Sequence, residues 1–333
     1  MDEFITLSHG NGGVKTSKLI KEMFLSKLGN CYLNSLEDGA ALNVSNRIAF
    51  TTDSYVISPY FFKGGDIGKL SVCGTVNDLI MCGSIPKYLT LSLILEESFS
   101  MSELEKIINS IAETAEYSGV KIVTGDTKVV DKGHGHGIYI NTAGIGELIS
   151  GVSLNTENIE EGDAVICTGN IGDHGVSILC SREGLLEFNL SSDCTPLIEL
   201  IPVIIKFKED IKALRDPTRG GVATVLNEFA ENSDCSIEIN EESLPLDEKV
   251  KFACEMLGLD PLYSANEGKA LMVVKKAAAE KILEELRKYP VFFNSKIIGE
   301  AIKEDKAKVL LKSELGGRRI IDKLSYDILP RIC

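Results

Sequence analysis

Short apolar runs typical of β-strands alternate with helical stretches along most of this chain. Strands are predicted at 47–52, 88–95, 120–124, 138–145, 164–168 and 270–274. Helices are predicted at 102–118, 176–183, 222–231 and 277–289, the first with Ser102 as its N-cap. Because strands and helices are interleaved in both halves of the sequence, the pattern predicts an α+β architecture.

The length of the chain predicts more than one structural unit. Its 333 residues are enough for about two domains with substantial cores. Hydrophobic residues make up 44% of the chain, as in ordinary globular proteins. We predict an N-terminal domain of residues 1–152, a C-terminal α+β domain of residues 153–323 and a mobile tail of residues 324–333.

The net charge and the hydropathy of the chain argue against nucleic-acid and membrane partners. The net charge of −14 disfavours nonspecific nucleic-acid binding, which needs a basic surface to neutralise phosphates. No apolar run approaches the length of a membrane span, and the acidic N-terminus is unlike a signal peptide, so we expect a cytoplasmic protein without a membrane partner. An anionic ligand would have to be held locally by glycine amides, a few Lys or Arg side chains and metal ions.

The last residue, Cys333, differs in context from the other eight cysteines. Those eight lie in apolar surroundings and are predicted to be small buried residues, without zinc-site spacing or a disulfide framework. Taken alone, a terminal cysteine is most simply incidental. However, Pro330 disfavours a helix at the end of the chain, and if the folded part ends near Ile321, ten or so extended residues would carry the Cys333 sulfur roughly 30 Å. The sequence therefore predicts a thiol that can travel.

Four aspartates stand beside small or polar residues at the ends of apolar runs: Asp38, Asp53, Asp78 and Asp126. For any one of them, a turn or helix-cap role is the simpler explanation. Carboxylates are, however, the hard oxygen ligands that Mg²⁺ requires, and strand ends converge on clefts. The four together favour a shared site for a metal ion and phosphate groups.

Glycine-rich segments provide candidate amides for an anion. One contains Gly12 and Gly13 with Lys15 close behind, and another covers residues 64–68 before a predicted helix. Neither is a P-loop or a dinucleotide fingerprint, and tight turns alone would also explain them. Arg219 is followed by two glycines and a predicted helix, and is a candidate to bind phosphate.

Several segments, taken in order, resemble the HypE family of hydrogenase-maturation carbamoyl dehydratases. They are TTDSYVISPYFFKGGDIGKLSVCGTVNDLIMCG, VTGDTKVV, the GDHG turn, RDPTRGG and the terminal PRIC. The resemblance covers nearly the whole chain. It extends to the superfamily of aminoimidazole ribonucleotide synthetase, selenophosphate synthetase and thiamine-phosphate kinase, while the terminal PRIC is what selects HypE.

The resemblance implies a two-domain PurM-like α+β fold, in which N-terminal strands of two chains form a shared barrel in a homodimer. It implies that ATP lies in a cleft with Mg²⁺ among the four aspartates. The residues that it assigns to nucleotide or metal binding are Asp38, Asp53, Asn77, Asp78, Asp126, Thr127, Gly12, Gly13, Lys15 and Arg219.

The resemblance also implies a reaction and its partners. The carbamoyltransferase HypF loads a carbamoyl group onto Cys333, ATP-dependent dehydration gives a thiocyanate, and the HypC–HypD complex receives the cyanide for the iron of [NiFe]-hydrogenase. Phosphorylating the carbamoyl oxygen turns it into a good leaving group, and a base must then remove N–H protons. Lys128 and Glu267 are the candidates for this base, although Lys128 could instead bind phosphate and Glu267 could instead bind Mg²⁺.

Two alternatives remain open at this point. Selenophosphate synthesis or a related ATP-dependent small-molecule reaction is one, but residues 8–18 contain Lys15 and Lys18 without the expected cysteine. The other is a non-catalytic scaffold regulated by nucleotide. The presence of all four aspartates and of the terminal cysteine counts against a scaffold.

Overall fold

The computed structural model of the chain describes residues 2–36, 39–44, 47–185, 189–304 and 306–324. Two residues of the predicted site, Asp38 and Cys333, lie outside the described residues, as does almost all of the predicted tail. The positions of these two side chains therefore remain predictions.

A four-stranded sheet organises the first half of the chain. The strands of this half are β1 (Ile48–Tyr55), β2 (Phe61–Phe62), β3 (Gly65–Asp66), β4 (Ser84–Glu96), β5 (Lys121–Val130) and β6 (Ile138–Leu148). The sheet has the order β1-β6-β4-β5, and β2 and β3 form a separate short hairpin. Alternate residues of β4, such as Leu91 and Leu93, are buried, as expected for a sheet with one covered face. The two outer strands are thus β1 and β5.

Helices cover one face of this sheet. They are α1 (Val14–Leu19), which continues through a π-helical segment (Ile20–Phe24) into α2 (Leu25–Leu28), α3 (Ile67–Met81) and α4 (Met101–Ser118). The predicted helix after the second glycine-rich segment is α3, and the Asp66 carboxylate caps it by accepting from the amides of Gly68 at 2.7 Å and Lys69 at 3.1 Å. The N-cap of α4 is Ser100, not Ser102 as predicted, because the Ser100 hydroxyl accepts from the Glu103 amide.

A seven-stranded sheet organises the second half. Its strands are β7 (Ala164–Cys167), β8 (Ile211–Arg215), β9 (Ser236–Asn240), β10 (Leu271–Val274), β11 (Lys296–Ile302), β12 (Val309–Lys312) and β13 (Arg318–Ile321). They follow the order β13-β12-β9-β11-β7-β10-β8, and β12 runs parallel to β9 whereas the other neighbours are antiparallel. The helices are α5 (Asp173–Arg182), α6 (Leu200–Lys206), α7 (Gly221–Ser233), α8 (Glu248–Leu257) and α9 (Ala279–Leu286).

The core spans both sheets. Every residue of β7 is buried, but alternate side chains belong to different clusters. Ile166 packs into a cluster that also contains Ile80 of α3 and Leu93 of β4, whereas Val165 packs with Phe229 of α7. The two halves therefore share one hydrophobic cluster, and the seven-stranded sheet has a second cluster on its other face.

The eight cysteines before Cys333 are less uniform than predicted. Five are buried, but Cys31 and Cys82 are exposed and Cys235 is half-buried, so the prediction of eight buried residues is wrong for these three. Cys82 follows the last residue of α3, where the helix ends at the surface of a cleft. Among the described residues, no helix is long and apolar enough to cross a bilayer.

Candidate active site

A polar cleft of about 410 Å³ lies between the two sheets. Strand β1 contributes Thr51 and Asp53, and the C-terminal end of α3 contributes Asp78. The loop between β8 and α7 contributes Asp216 and Arg219. Asp53 lies inside β1, which continues to Tyr55, and not at a strand end as predicted, whereas Asp78 lies in the last turn of α3 and Arg219 directly precedes the N-cap of α7. Two of the four predicted aspartates thus meet one predicted arginine.

Asp78 is held in place by its neighbour on β1. The Thr51 hydroxyl donates to an Asp78 carboxylate oxygen at 2.8 Å. Burial raises the pKa of Asp78 and the charge of Asp53 raises it further, while Arg215 and Arg219 lower it. A cation in the cleft would therefore find two carboxylates whose mutual repulsion it relieves.

Arg219 stands just before α7, whose positive end attracts an anion, although the first amide of the helix, that of Gly221, donates to the Thr218 carbonyl oxygen at 3.0 Å. Gly220 and Gly221 have φ values of 74° and 60°, and a Cβ on Gly221 would approach the Leu262 carbonyl oxygen to 2.5 Å. Because Gly220 is the N-cap, no side chain caps this helix. The Arg219 guanidinium lies 3.6 Å from the Asp53 carboxylate and is 80% exposed. A phosphate group would find a mobile cation and a positive helix end here.

Two residues of the cleft were missed at the sequence level. Burial raises the pKa of Asp216 to about 7, and the charge of Asp78 adds to this rise. Burial and the charges of Asp78 and Asp216 also raise the pKa of the Cys82 thiol, which disfavours a thiolate there. The segments RDPTRGG and LIMCG contain both residues, but neither segment indicates that they point into one cleft.

Glu267 lies behind this cleft and is 8% exposed. Burial raises its pKa well above the ordinary value, and Cys194, Asp216, Asp193 and Asp53 raise it further. The raised pKa favours the protonated form of this carboxyl group over the carboxylate. Because the charges of Asp216 and Asp53 act on Glu267, its carboxyl group lies near the acids that line the cleft.

The Asn77 side chain bonds to the protein backbone in this structure, and its nucleotide contact stays a prediction. Its side chain is buried and donates to the carbonyl oxygens of Thr195 at 3.1 Å and Glu267 at 3.4 Å. Its own oxygen accepts from the Leu197 amide at 2.8 Å. With these backbone partners, Asn77 joins α3 to two segments of the second half.

The third described aspartate, Asp126, lies elsewhere. It is on β5, and its carboxylate accepts from the Thr127 amide at 2.8 Å and from the Lys128 ammonium at 3.0 Å, which lowers the pKa of Asp126. Since β1 and β5 are the outer strands of the four-stranded sheet, three strand spacings, or roughly 14 Å, separate the strands of Asp53 and Asp126. Within one chain, Lys128 therefore does not lie at the cleft near Glu267.

Asp126 and Lys128 line a second cavity, of about 210 Å³ and mostly apolar. The walls include Ile20, Phe24 and Leu28 of the N-terminal helical segments. Two further predicted residues, Gly12 and Thr127, also line it. Gly13 is the N-cap of α1. Lys15 is instead at the surface, 2.6 Å from the Asp2 carboxylate.

The predicted metal site is thus not assembled within the described part of one chain. There, no three His, Cys, Asp or Glu side chains lie close enough to hold a metal ion. Asp53 and Asp78 form one pair at the cleft, and Asp126 lies apart. The cleft brings together four carboxyl groups (Asp53, Asp78, Asp216 and Glu228), two arginines (Arg215 and Arg219) and the start of α7.

Family models match both halves of the chain. One, described as the N-terminal domain of AIR synthase related protein, matches residues 36–148. Another, described as the C-terminal domain of AIR synthase related protein, matches residues 160–312. Together these two models cover most of the chain.

Characterised relatives match nearly the whole sequence. The chain is 43% identical over 331 residues to the carbamoyl dehydratase HypE of Azotobacter vinelandii, covering 99% of this chain and 97% of the relative. It is 43% identical over 336 residues to the carbamoyl dehydratase HypE of Escherichia coli strain K12, covering 99% of each.

Solved structures agree with these relatives. The crystal structure of the hydrogenase maturation protein HypE in complex with ATP is 41% identical, with a TM-score of 0.94 over 98% of this chain and 99% of that one. A chain from the crystal structure of a HypE–HypF complex is 47% identical, with a TM-score of 0.81 over 92% of this chain and 99% of that one.

Proposed function

The chain belongs to the HypE family of carbamoyl dehydratases, and from this premise we propose that it converts an S-carbamoyl group on its own Cys333 into a thiocyanate, using ATP. The observation that carries the proposal is the cleft in which Asp53 and Asp78 face Arg219 and the start of α7. This arrangement suits the γ-phosphoryl transfer that the dehydration needs. The relatives at 43% identity are named carbamoyl dehydratases, which favours this reaction over selenophosphate synthesis and over a scaffold.

The reaction balances as a loss of water from the carbamoyl group. The carbamoyl oxygen accepts the γ-phosphoryl group of ATP while one N–H proton leaves, giving ADP. The second N–H proton then leaves together with phosphate, and the carbon–nitrogen triple bond forms. Arg219 and the positive end of α7 would stabilise the transferred phosphoryl oxygens.

The residues present fit a bound Mg²⁺. This ion is commonly held by one or two carboxylates together with water and phosphate oxygens, and Asp53 and Asp78 are such a pair. When bound, Mg²⁺ would offset the negative charge of the ATP phosphates. We assign Asp38 to the same function on the basis of the family resemblance.

We propose Glu267 as the group that accepts a proton from the carbamoyl nitrogen. Its raised pKa makes it a stronger base than an ordinary carboxylate while reducing the fraction that is ionised at neutral pH. In one chain Lys128 is paired with Asp126 on a distant strand, so it is not the partner of Glu267 within that chain.

We further propose that the active unit is a homodimer. In the described residues, β1 pairs with one strand and β5 pairs with one strand, which leaves an open edge on each. The same sheet exposes Ile48, Phe50 and Ile94. If β5 of one copy pairs with β1 of a second copy, the strands of Asp126 and Asp53 become neighbours about 4.8 Å apart. The dimer would thus bring Asp126 and Lys128 to the cleft of the second copy.

The proposed partners follow from the same family. A HypE chain was crystallised in a complex with HypF, and we propose that HypF loads the carbamoyl group onto Cys333 of this protein. We propose that a HypC–HypD complex receives the cyanide, and that these steps take place in the cytoplasm. The free cysteines of the described residues are compatible with a reducing compartment.

Intact-mass analysis tests the proposed reaction. With carbamoyl phosphate and HypF, the wild-type protein should gain about 43 Da, and adding Mg²⁺ and ATP should then remove about 18 Da as the oxygen leaves with phosphate. Cys333→Ala is the matched control and should bind ATP without gaining the carbamoyl mass. A carbamoyl adduct on another cysteine, or water loss that proceeds equally well without ATP, would contradict the proposal.

A further inference from the structure

Asp193 is a buried carboxylate that neither the sequence motifs nor the cleft includes. It lies in the loop between α5 and α6, and its side chain is 2% exposed. The Glu267 and Gly268 amides each donate to it at 3.1 Å, and the Lys269 ammonium forms an ion pair with it at 3.3 Å. One carboxylate thus holds the peptide groups on both sides of the Glu267 Cα atom.

The ion pair between Asp193 and Lys269 is enclosed by protein. The Lys269 side chain is 9% exposed, and its methylene groups pack so closely on Gly169 that a Cβ there would approach them to 2.8 Å. A buried carboxylate is tolerated when a cation and hydrogen-bond donors compensate its charge. Asp193 has both, and all of them come from the segment that contains Glu267.

The chain wraps tightly around Asp193. A Cβ on Gly268 would lie 2.0 Å from the Asp193 carbonyl oxygen, so no side chain fits at this position. Before Glu267, the Asn266 side chain accepts from the Gly172 amide at 2.7 Å and donates to the Pro217 carbonyl at 3.0 Å. Glu267 is therefore held on both flanks, by Asn266 on one side and by Asp193 on the other.

This arrangement is also tied to the phosphate side of the cleft. Asn77, next to Asp78 on α3, donates to the carbonyl oxygens of Glu267 and Thr195. Thr195 is two residues from Asp193. The same few bonds therefore set the position of Glu267 relative to the carboxylate that we assign to the metal.

We propose that Asp193, through its bonds to the Glu267–Lys269 segment, is a positioning residue that holds Glu267 at the reacting carbamoyl group. This inference rests on the proposed function, because it requires that Glu267 act on that group. A displacement of about 1 Å in a reacting group lowers rates by about 10²-fold, so a small shift of this segment is enough to matter.

The chain provides a matched control for the loss of a buried ion pair. Asp163 and Lys212 form a pair at 2.8 Å, with side chains that are 7% and 10% exposed. Asp163 also accepts from the Glu160 amide at 2.7 Å, as Asp193 does from its own amide donors. Asp163 does not line the cleft or contact the Glu267 segment, and Lys212 keeps the Glu160 carboxylate at 2.6 Å as a second partner, so Asp163→Asn reports the loss of a buried carboxylate away from the site.

The experiment measures single-turnover dehydration of the carbamoylated full-length protein by intact mass, as a function of ATP concentration. Asp193→Asn should lower the rate at saturating ATP by roughly 10- to 100-fold, with the half-saturating ATP concentration changed by less than about threefold. Asp163→Asn should keep the wild-type rate. Asp193→Asn/Lys269→Met, which removes both charges, should regain thermal stability relative to Asp193→Asn without regaining the rate.

The outcomes separate this inference from the proposed function. If Glu267→Gln is inactive while Asp193→Asn keeps the wild-type rate, the positioning role is wrong and the role of Glu267 stands. If Glu267→Gln keeps the wild-type rate, the role of Glu267 and the inference fail together. An equal loss of rate in Asp163→Asn, or recovery of the rate together with stability in the double variant, would reduce Asp193 to a folding role.

Discussion

The cleft between the two sheets and the cavity beside β5 are both lined by aspartates that stand next to small or polar residues in the sequence, yet the two spaces differ in polarity. The cleft contains Asp53, Asp78 and Arg219 and is mainly polar. The cavity is mainly apolar and has Asp126 and Lys128 among its lining residues. Similar motifs were thus placed at opposite edges of one sheet. This difference indicates that one chain contributes two separate parts of a site, the cleft and the cavity. A dimer formed edge to edge through β1 and β5 would bring the two parts together.

Mixing two inactive variants would test this most strongly. Asp78→Asn and Asp126→Asn should each lower dehydration by about 10²-fold, because each removes a carboxylate from every site. If the site is shared, an exchanged equal mixture should recover about one quarter of the wild-type rate, since half of the dimers are mixed and each has one intact site. The measurement is the dehydration rate by intact mass, with each variant alone as control. A mixture no faster than its components would mean that both acids act within one chain.

The pH dependence of stability would sharpen the description of the cleft. Burial raises the pKa of Asp216 from 3.8 to about 7, so the folded state binds this proton more tightly than the unfolded state does. The resulting stabilisation is complete below pH 4 and is lost as the pH rises through about 7, and it amounts to at most about 4 kcal/mol. Asp216→Asn, which stays neutral, should therefore lose less stability between pH 5 and 8 than the wild type.

Thermal unfolding in the presence of a chelator, without nucleotide, measures this difference. Asp216→Asn should unfold roughly 5 °C above the wild type at pH 8 if the full effect is not offset by lost contacts. The slope of the unfolding temperature against pH is the decisive quantity, because contacts that do not titrate shift the unfolding temperature equally at every pH. Asp131→Asn, at an exposed position, is the control and should follow the wild-type slope. Equal slopes for Asp216→Asn and the wild type would mean that a group other than Asp216 causes the loss of stability between pH 5 and 8.

The smallest effect is expected at Lys15. Its ammonium group pairs with Asp2 at the surface and lines neither of the two cavities, so Lys15→Ala should change ATP affinity by less than about threefold. Arg219→Ala is the contrasting variant and should weaken ATP binding clearly. Calorimetric titration with ATP and Mg²⁺ compares the two. A tenfold loss in Lys15→Ala would return Lys15 to the nucleotide site.

Local features of the fold were predictable from the sequence. The helix α3 begins after the second glycine-rich segment, where Asp66 provides the cap. The strands β4 and β6 follow the apolar alternation, although β5 continues to Val130, well past the predicted end at 124. Its second part reads GDTKVV, with exposed polar residues, and pairing with β4 keeps it extended where side-chain pattern alone does not.

The site was predictable in its chemistry and less so in its geometry. Asp53, Asp78 and Arg219 were identified by type and context, and they do lie around one cleft. Asn77 and Asp78 are adjacent in sequence, but helix geometry points one into the protein and the other into the cleft. Asp193 was not identified, because its partners are more than seventy residues away and no local motif records them.

The hydrophobic cluster that runs from α3 through β7 has a consequence for access to the cleft. Ile80, Leu93 and Ile166 belong to one continuous apolar interior beneath the two sheets. Swinging the sheets apart would expose that interior to water, at a free-energy cost of about 25 cal/mol for each Å² uncovered. The cleft that lies above this hydrophobic cluster is therefore expected to keep a fixed width. A group that reacts there therefore has to be narrow enough to enter the cleft as it stands, because the two sheets cannot move apart to admit a wider one.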